Sequence, residues 1–233
     1  NCNRSDSCNK AFPNLAEEFQ QVKARLVKAP VVLDIQHPRL GTPTKFVLDE
    51  DKFTGNLRMQ LYSTRGRSLV PLVINQAYLG NYQPLIGLMA STEGEQQVYT
   101  GLHFNIVCNE DVPKISDQMK IADGNNNFDG DAAHFIFDNI CPLFPQYRPS
   151  ENFYQSVTVD IPTLILSGNL DPVTPPSNGD YVAKTLPNSH HIVAKNTAHI
   201  VATTTCANKI INEFLTTKDP KALDESCLDD IPE

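Results

Sequence analysis

The chain reads as an α/β protein on three observations. Thr163–Ser167 (TLILS) is a short apolar run rich in β-formers, and Gly168-Asn169-Leu170-Asp171-Pro172 breaks it at once. That is the pattern of a strand covered on both faces. Pro175 and Pro176 then suit a helix start, with Tyr181, Val182 and Leu186 as its apolar face. His191–Ala194 (HIVA) is a second strand, ended by Asn196-Thr197-Ala198-His199. Two parallel strands joined by a helix put both following loops on one edge of the sheet, where open α/β folds place their sites. An acid, Asp171, and a base, His199, on that edge are two members of a nucleophile–His–acid triad.

The remaining elements follow from periodicity and breakers. Phe12–Lys28 predicts an amphipathic helix with Leu15, Phe19, Val22 and Leu26 on one face, Asn14 as N-cap and Pro30 beyond its end. Val31–Gln36 and Thr44–Leu48 flank a Pro/Gly turn and predict a hairpin. Asp49–Tyr62, Leu69–Leu79 and Tyr82–Ala90 predict helices, with Ser63–Ser68 as a loop and Gly80 as a stop. Val98–Cys108 (VYTGLHFNIVC) has strand character, which would place Glu110 and Asp111 at a strand end. The polar stretch Asp123–Asp131 reads as a loop; it resembles a calcium loop, but His134 stands where a twelfth-position Glu is needed. Ala132–Ile140 and Thr203–Leu215 predict two further helices, and the tail Thr216–Glu233 has little periodicity.

Composition narrows the function. The 233 residues are 40% hydrophobic with a net charge of -8. A nucleic acid or an anionic membrane surface selects basic patches, so neither is an expected partner. No apolar run approaches the roughly 18–20 residues of a membrane span. No metal or cofactor is expected: no cysteines lie in a CxxC, His37 and His103 stand alone, and His190 and His191 alternate across a strand. The even cysteine count favours disulfides and an oxidising, secreted or periplasmic compartment. Sequential pairing, Cys2–Cys8, Cys108–Cys141 and Cys206–Cys227, is one of the fifteen connectivities possible. It is preferred because each pair closes a loop around a predicted turn or helix.

A carboxylate that orients an imidazole lets it deprotonate a hydroxyl nucleophile and then protonate the leaving group. By spacing alone, Asp171 could equally be a turn residue before Pro172 and His199 an ordinary loop histidine. The expected nucleophile signature, G-x-S-x-G on a tight strand-to-helix turn, does not occur. Ser68 lacks the second glycine and a preceding strand, and Ser167 lies inside the buried-strand pattern.

Several features together resemble the C-terminal half of an α/β-hydrolase serine peptidase of the prolyl and tripeptidyl aminopeptidase branch. They are Cys2 and Cys8 followed by Ala11-Phe12-Pro13-Asn14-Leu15; Gly101 with Val107-Cys108-Asn109-Glu110-Asp111; Cys141 before Phe144-Pro145; Ile161 through Pro175; Asn196-Thr197-Ala198-His199; and Cys206 with Cys227. The resemblance implies a helical cap with a small hairpin over residues 1–97 and the C-terminal portion of the hydrolase core over 98–233. It implies Asp171 and His199 as acid and base, and a nucleophile in an N-terminal half that these residues do not contain. That half, possibly a separate chain, is an expected partner, and the chain alone is expected to be inactive. The expected reaction is release of N-terminal residues or short peptides, with Glu110 and Asp111 as candidate anchors for the substrate ammonium group. An esterase or lipase of the same fold, or a disulfide-braced binding module without catalysis, are the alternatives.

Overall fold

The computed structural model describes residues 2–37, 40–92, 99–127, 130, 132–203 and 206–231. In chain order the elements are α1 (Asp6–Ala11), α2 (Leu15–Lys28), β1 (Val31–Gln36), β2 (Pro43–Leu48), α3 (Glu50–Gln60), α4 (Thr64–Tyr78), α5 (Gln83–Thr92), α6 (Thr100–Glu110), α7 (Asp117–Asn126), α8 (Ala132–Ile140), β3 (Thr163–Gly168), α9 (Pro176–Ala183), β4 (Ser189–Ala194) and α10 (Ala207–Thr217). The class is α/β, with helices and two small sheets. The chain divides into two compact units. One comprises 1–15, 57–75 and 156–233, the other 16–56 and 76–155.

In the first unit β3 and β4 pair in parallel, Thr163 opposite Ser189 through Gly168 opposite Ala194. Side chains alternate across a strand, so each residue type chooses its face. Leu164 and Leu166 of β3 and Ile192 and Ala194 of β4 pack on the buried core formed with Val201, Ala207, Ile210 and Leu228. That face is closed by α10 and the C-terminal tail. Ser167 and His191 point the other way, toward α9. One face of β3 thus packs on the core and the other meets α9, with Ser167 and Gly168 buried and Thr163–Leu166 half-buried, short of the full burial its composition predicts.

The helix after β4 begins later than expected. A 3-10 turn, Val201–Thr203, precedes α10, which ends at Lys218 in the left-handed region with φ 56°. Cys206 immediately precedes α10, and its disulfide to Cys227 holds the tail against the core. Cys2–Cys8 and Cys108–Cys141 complete the sequential set, and no described cysteine is free.

In the second unit β1 and β2 form the antiparallel hairpin read from the sequence, Val31 opposite Leu48. Phe19 of α2 stacks on Phe53 of α3, with ring centroids 6.1 Å apart. Lys23 pairs with Glu50 at 3.0 Å, and Arg25 donates to the carbonyls of Ala77 and Tyr78. Gly80 stops α4 with φ 86°, a left-handed conformation that glycine adopts without strain.

Three expectations are corrected. Thr100–Glu110 is a helix, not a strand; Val98 lies outside the described residues. Its β-branched and aromatic residues favour a strand locally, but contacts spaced four apart win. Phe104 meets Phe137 and Phe144, and Cys108 is bridged to Cys141. Asn109, fully buried, donates to the carbonyls of Asn105 and Pro145 and accepts from the Tyr147 N–H. Tertiary context thus overrides a weak β-propensity. Second, the expected loop 63–68 is the first turn of α4. The Ser63 hydroxyl accepts the Gly66 N–H at 2.9 Å and so caps the helix. Third, Asp123–Asn126 are the last residues of α7, whose start is capped by Ser116. Residues 128, 129 and 131 of the expected polar loop lie outside the described residues.

Removing the Cys206–Cys227 bridge with a double alanine variant should cost about 3 kcal/mol of unfolding free energy, the scale for a closed loop of this length. Equilibrium urea unfolding under non-reducing conditions measures it. A change near zero would show that the tail docks without its tether.

Candidate acid–base site

Both candidate residues sit on loops at the C-terminal ends of β3 and β4, within one unit. What brings them together is an unusually close backbone approach. The Asn169 N–H donates to the Ala194 carbonyl, the Leu170 N–H to the Thr197 carbonyl, and the Asp171 N–H closes a turn on the Gly168 carbonyl. A Cβ on Gly168 would run into the carbonyl oxygens of Thr197 and Ala198, so only glycine permits the approach. Asn196 and Ile200 bracket the histidine loop with φ of 50° and 64°. Asparagine tolerates the left-handed region; a β-branched isoleucine does so only under strain, and here it adjoins His199.

Asp171 is 8% exposed, and its carboxylate is surrounded by donors. Oδ1 accepts the N–H of Val173 at 2.8 Å and of Thr174 at 3.0 Å. Oδ2 accepts the Thr174 hydroxyl at 2.9 Å and lies 2.8 Å from Nδ1 of His199. Burial pushes the Asp171 carboxyl up. The Thr174 N–H, His199, the Val173 N–H and the Thr174 hydroxyl together outweigh that and hold it below its ordinary 3.8. An ionised carboxylate accepts only, so Nδ1 carries the proton and the lone pair is left on Nε2. The partly exposed imidazole thus turns Nε2, the atom a general base would use, away from Asp171.

A third segment touches both loops. Tyr62 places its ring edge on His199, with centroids 5.4 Å apart and planes at 75°, and its carbonyl accepts the His199 N–H at 3.1 Å. The Thr64 hydroxyl faces the Ala198 N–H at 3.4 Å. Arg67 donates to the Leu170 carbonyl at 3.1 Å. Thr174 was readable in advance, since Asp-Pro-Val-Thr is a turn in which an Asp side chain caps its own following amides. The contacts from Tyr62, Thr64 and Arg67 left no local signal.

A second Ser–His–carboxylate trio lies between β3, β4 and α9. His191 Nε2 is 2.9 Å from the Ser167 hydroxyl, and Nδ1 is 2.9 Å from Asp180 Oδ1. It has the connectivity of a triad without the access. Ser167 is buried, and the imidazole is packed so tightly on α9 that a Cβ at Gly179 would strike the ring. An acyl substrate needs room at the hydroxyl and donors for the developing oxyanion. The trio ties α9 to the sheet instead. His190, on the opposite face of β4, meets Glu225 at 3.3 Å.

Glu110 and Asp111 belong to the other unit, at the C-terminal end of α6 and not at a strand end. The Glu110 carboxylate accepts the Tyr147 hydroxyl at 2.7 Å, which pushes that phenol up, and its backbone carbonyl accepts the Tyr154 hydroxyl at 2.8 Å. Asp111 is exposed at the helix C-cap. Among the described residues no three His, Cys, Asp or Glu side chains gather as a metal site. No helix of the described residues is long and apolar enough to cross a membrane.

The strand–acid loop–helix–strand–histidine loop and the Cys206–Cys227 staple lie inside one region of known kinship. Residues 131–227 match the model of the TAP-like protein family of α/β-hydrolase type. Over these residues the chain is similar to the C-terminal region of a TAP-like α/β-hydrolase. No curated protein matches the chain.

Two outcomes test the site geometry. Because the Asp171 carboxyl is held low in the fold, its contribution to stability is complete above its ordinary value of 3.8 and is lost as pH falls through the lowered folded value. Asp171→Asn should remove that component and cost about 1–3 kcal/mol near neutral pH, read from urea midpoints across a pH series. Ser167→Ala should cost about 1 kcal/mol of stability, the scale of one lost hydrogen bond. Ser167 should not react with a fluorophosphonate. Labelling of Ser167, found by peptide mapping, would overturn the bracing role.

Proposed function

We propose that the chain is part of a serine hydrolase that releases N-terminal residues or short peptides from its substrates. In this reading Asp171 and His199 are acid and base, residues 98–233 are the C-terminal portion of the hydrolase core, and residues 1–97 form a substrate-selecting cap. The protein works in an oxidising compartment, secreted or periplasmic, where three disulfides persist. The observation that carries the reading is the hydrogen bond of a buried, donor-saturated carboxylate to Nδ1 of a half-exposed imidazole at the C-terminal edge of parallel strands. The match of residues 131–227 to an α/β-hydrolase family supports the reaction class.

No G-x-S-x-G occurs in the 233 residues, and Ser167 is closed off. In this reading the nucleophile and its oxyanion donors are carried by an N-terminal half on the same or a separate chain. With only a base and its acid, the isolated chain should neither hydrolyse aminoacyl amides nor label with a fluorophosphonate.

The test is the protein that carries both halves. His199→Ala should lower kcat/KM on free-amine peptide amides by about 10³-fold or more, the scale of removing a triad member. Unchanged kinetics would remove His199 from the chemistry. Turnover of N-blocked substrates as fast as free-amine ones would exclude the exopeptidase reading while leaving the hydrolase.

A further inference from the structure

The acid–base pair is held by more than its own two loops, and the extra support comes from residues far away in sequence. We infer that Tyr62, just ahead of α4, and Arg67, in its first turn, are positioning residues that fix the His199 tautomer and ring orientation through the two loops. This inference rests on the acid–base reading of Asp171 and His199.

Four contacts from three residues converge. Tyr62 acts on the base itself: its carbonyl accepts the His199 N–H at 3.1 Å, which sets the backbone, and its ring meets the imidazole edge-on at 5.4 Å, which limits rotation. Arg67 acts on the acid loop, donating to the Leu170 carbonyl at 3.1 Å, the peptide unit that leads into Asp171. Between them the Thr64 hydroxyl meets the Ala198 N–H. One short segment thus grips the residue before the acid and the residue before the base.

The identity of Arg67 supports this. Burial pushes the guanidinium's pKa below its ordinary value, so keeping a charged group there is costly, and a carbonyl partner compensates less than a carboxylate would. The segment is shaped to present these groups. Gly66 sits where a Cβ would collide with the Gln60 side chain and carbonyl and the Ser63 hydroxyl, so α4 starts tightly against the end of α3. Ser63 caps that start.

The readout is the tautomer of His199, measured by imidazole nitrogen shifts in the ¹⁵N-histidine-labelled 233-residue chain. His191, locked by Ser167 and Asp180 in the same unit, serves as an internal reporter of the intact fold. Wild type should hold His199 with the proton on Nδ1, and Asp171→Asn should lose that preference. Tyr62→Ala and Arg67→Met should each lose it too, moving His199 toward the mixed tautomers of free imidazole while the His191 signals stay in place. Tyr62→Phe, which keeps the ring edge, should retain it.

An unchanged His199 in Tyr62→Ala and Arg67→Met, with the expected loss in Asp171→Asn, overturns the positioning role and leaves the acid–base pair standing. No loss in Asp171→Asn overturns the pair itself. Loss of the His191 signature in Tyr62→Ala or Arg67→Met would show general unfolding and equally overturn the inference.

Discussion

The site depends first on a backbone approach, before any side chain is considered. The turn after β3 lies against the loop after β4 closely enough for two cross-loop amide bonds, and Gly168 is the residue that permits it. With that contact in place, Asp171 turns back under its own amides and still reaches Nδ1 of His199. Without it, neither the acid's donors nor the acid–base distance would be defined. Backbone packing has set the geometry, and the side chains read it out.

Two trios of similar composition make the point sharper. Asp171, His199 and Thr174 lie at the strand ends, where the imidazole keeps part of its surface open. Asp180, His191 and Ser167 lie between a helix and the sheet, with a nearly buried ring and a buried serine. Both have hydrogen bonds of ordinary length. Placement relative to the sheet edge separates a pair that can exchange a proton with a substrate from a trio that clamps a helix. A list of side-chain distances would not distinguish them.

Much of this arrangement was legible in the sequence for a local reason. Thr163–Ser167 and His191–Ala194 are short, apolar and bounded by Gly, Asn and Pro, so strand ends and loops announce themselves. Asp171 and His199 stand directly at those ends. Sequential cysteine pairing, one of fifteen possibilities, is preferred because each pair encloses a predicted local element, and the structure has that pairing. What failed had distant causes. Val98–Cys108 has strand-like composition, but its helix is decided by Phe137, Cys141, Phe144 and Pro145, which no window around it includes. Glu110 lost its strand-end setting with that correction. Arg67 reaches Leu170 across 103 positions, so reading 63–68 as a polar loop was the natural local inference. Ser167, His191 and Asp180 come from three elements whose register only the folded sheet fixes.

The C-terminal tail adds a consequence for how the molecule is made. Cys227 is bridged to Cys206 at the head of α10, Ile231 accepts a hydrogen bond from Asn196, and Asp229 pairs with Lys195, both in the loop that leads to His199. The tail is thus a strap across the base-bearing loop, buckled by one covalent bond. Expression in a reducing cytosol would yield the same sequence with the buckle open, leaving the strap held by Leu228 in the core and by the non-covalent contacts of Asp229 and Ile231 with the loop. Oxidative folding in the host becomes a determinant of how many molecules present an ordered histidine, apart from how many are folded.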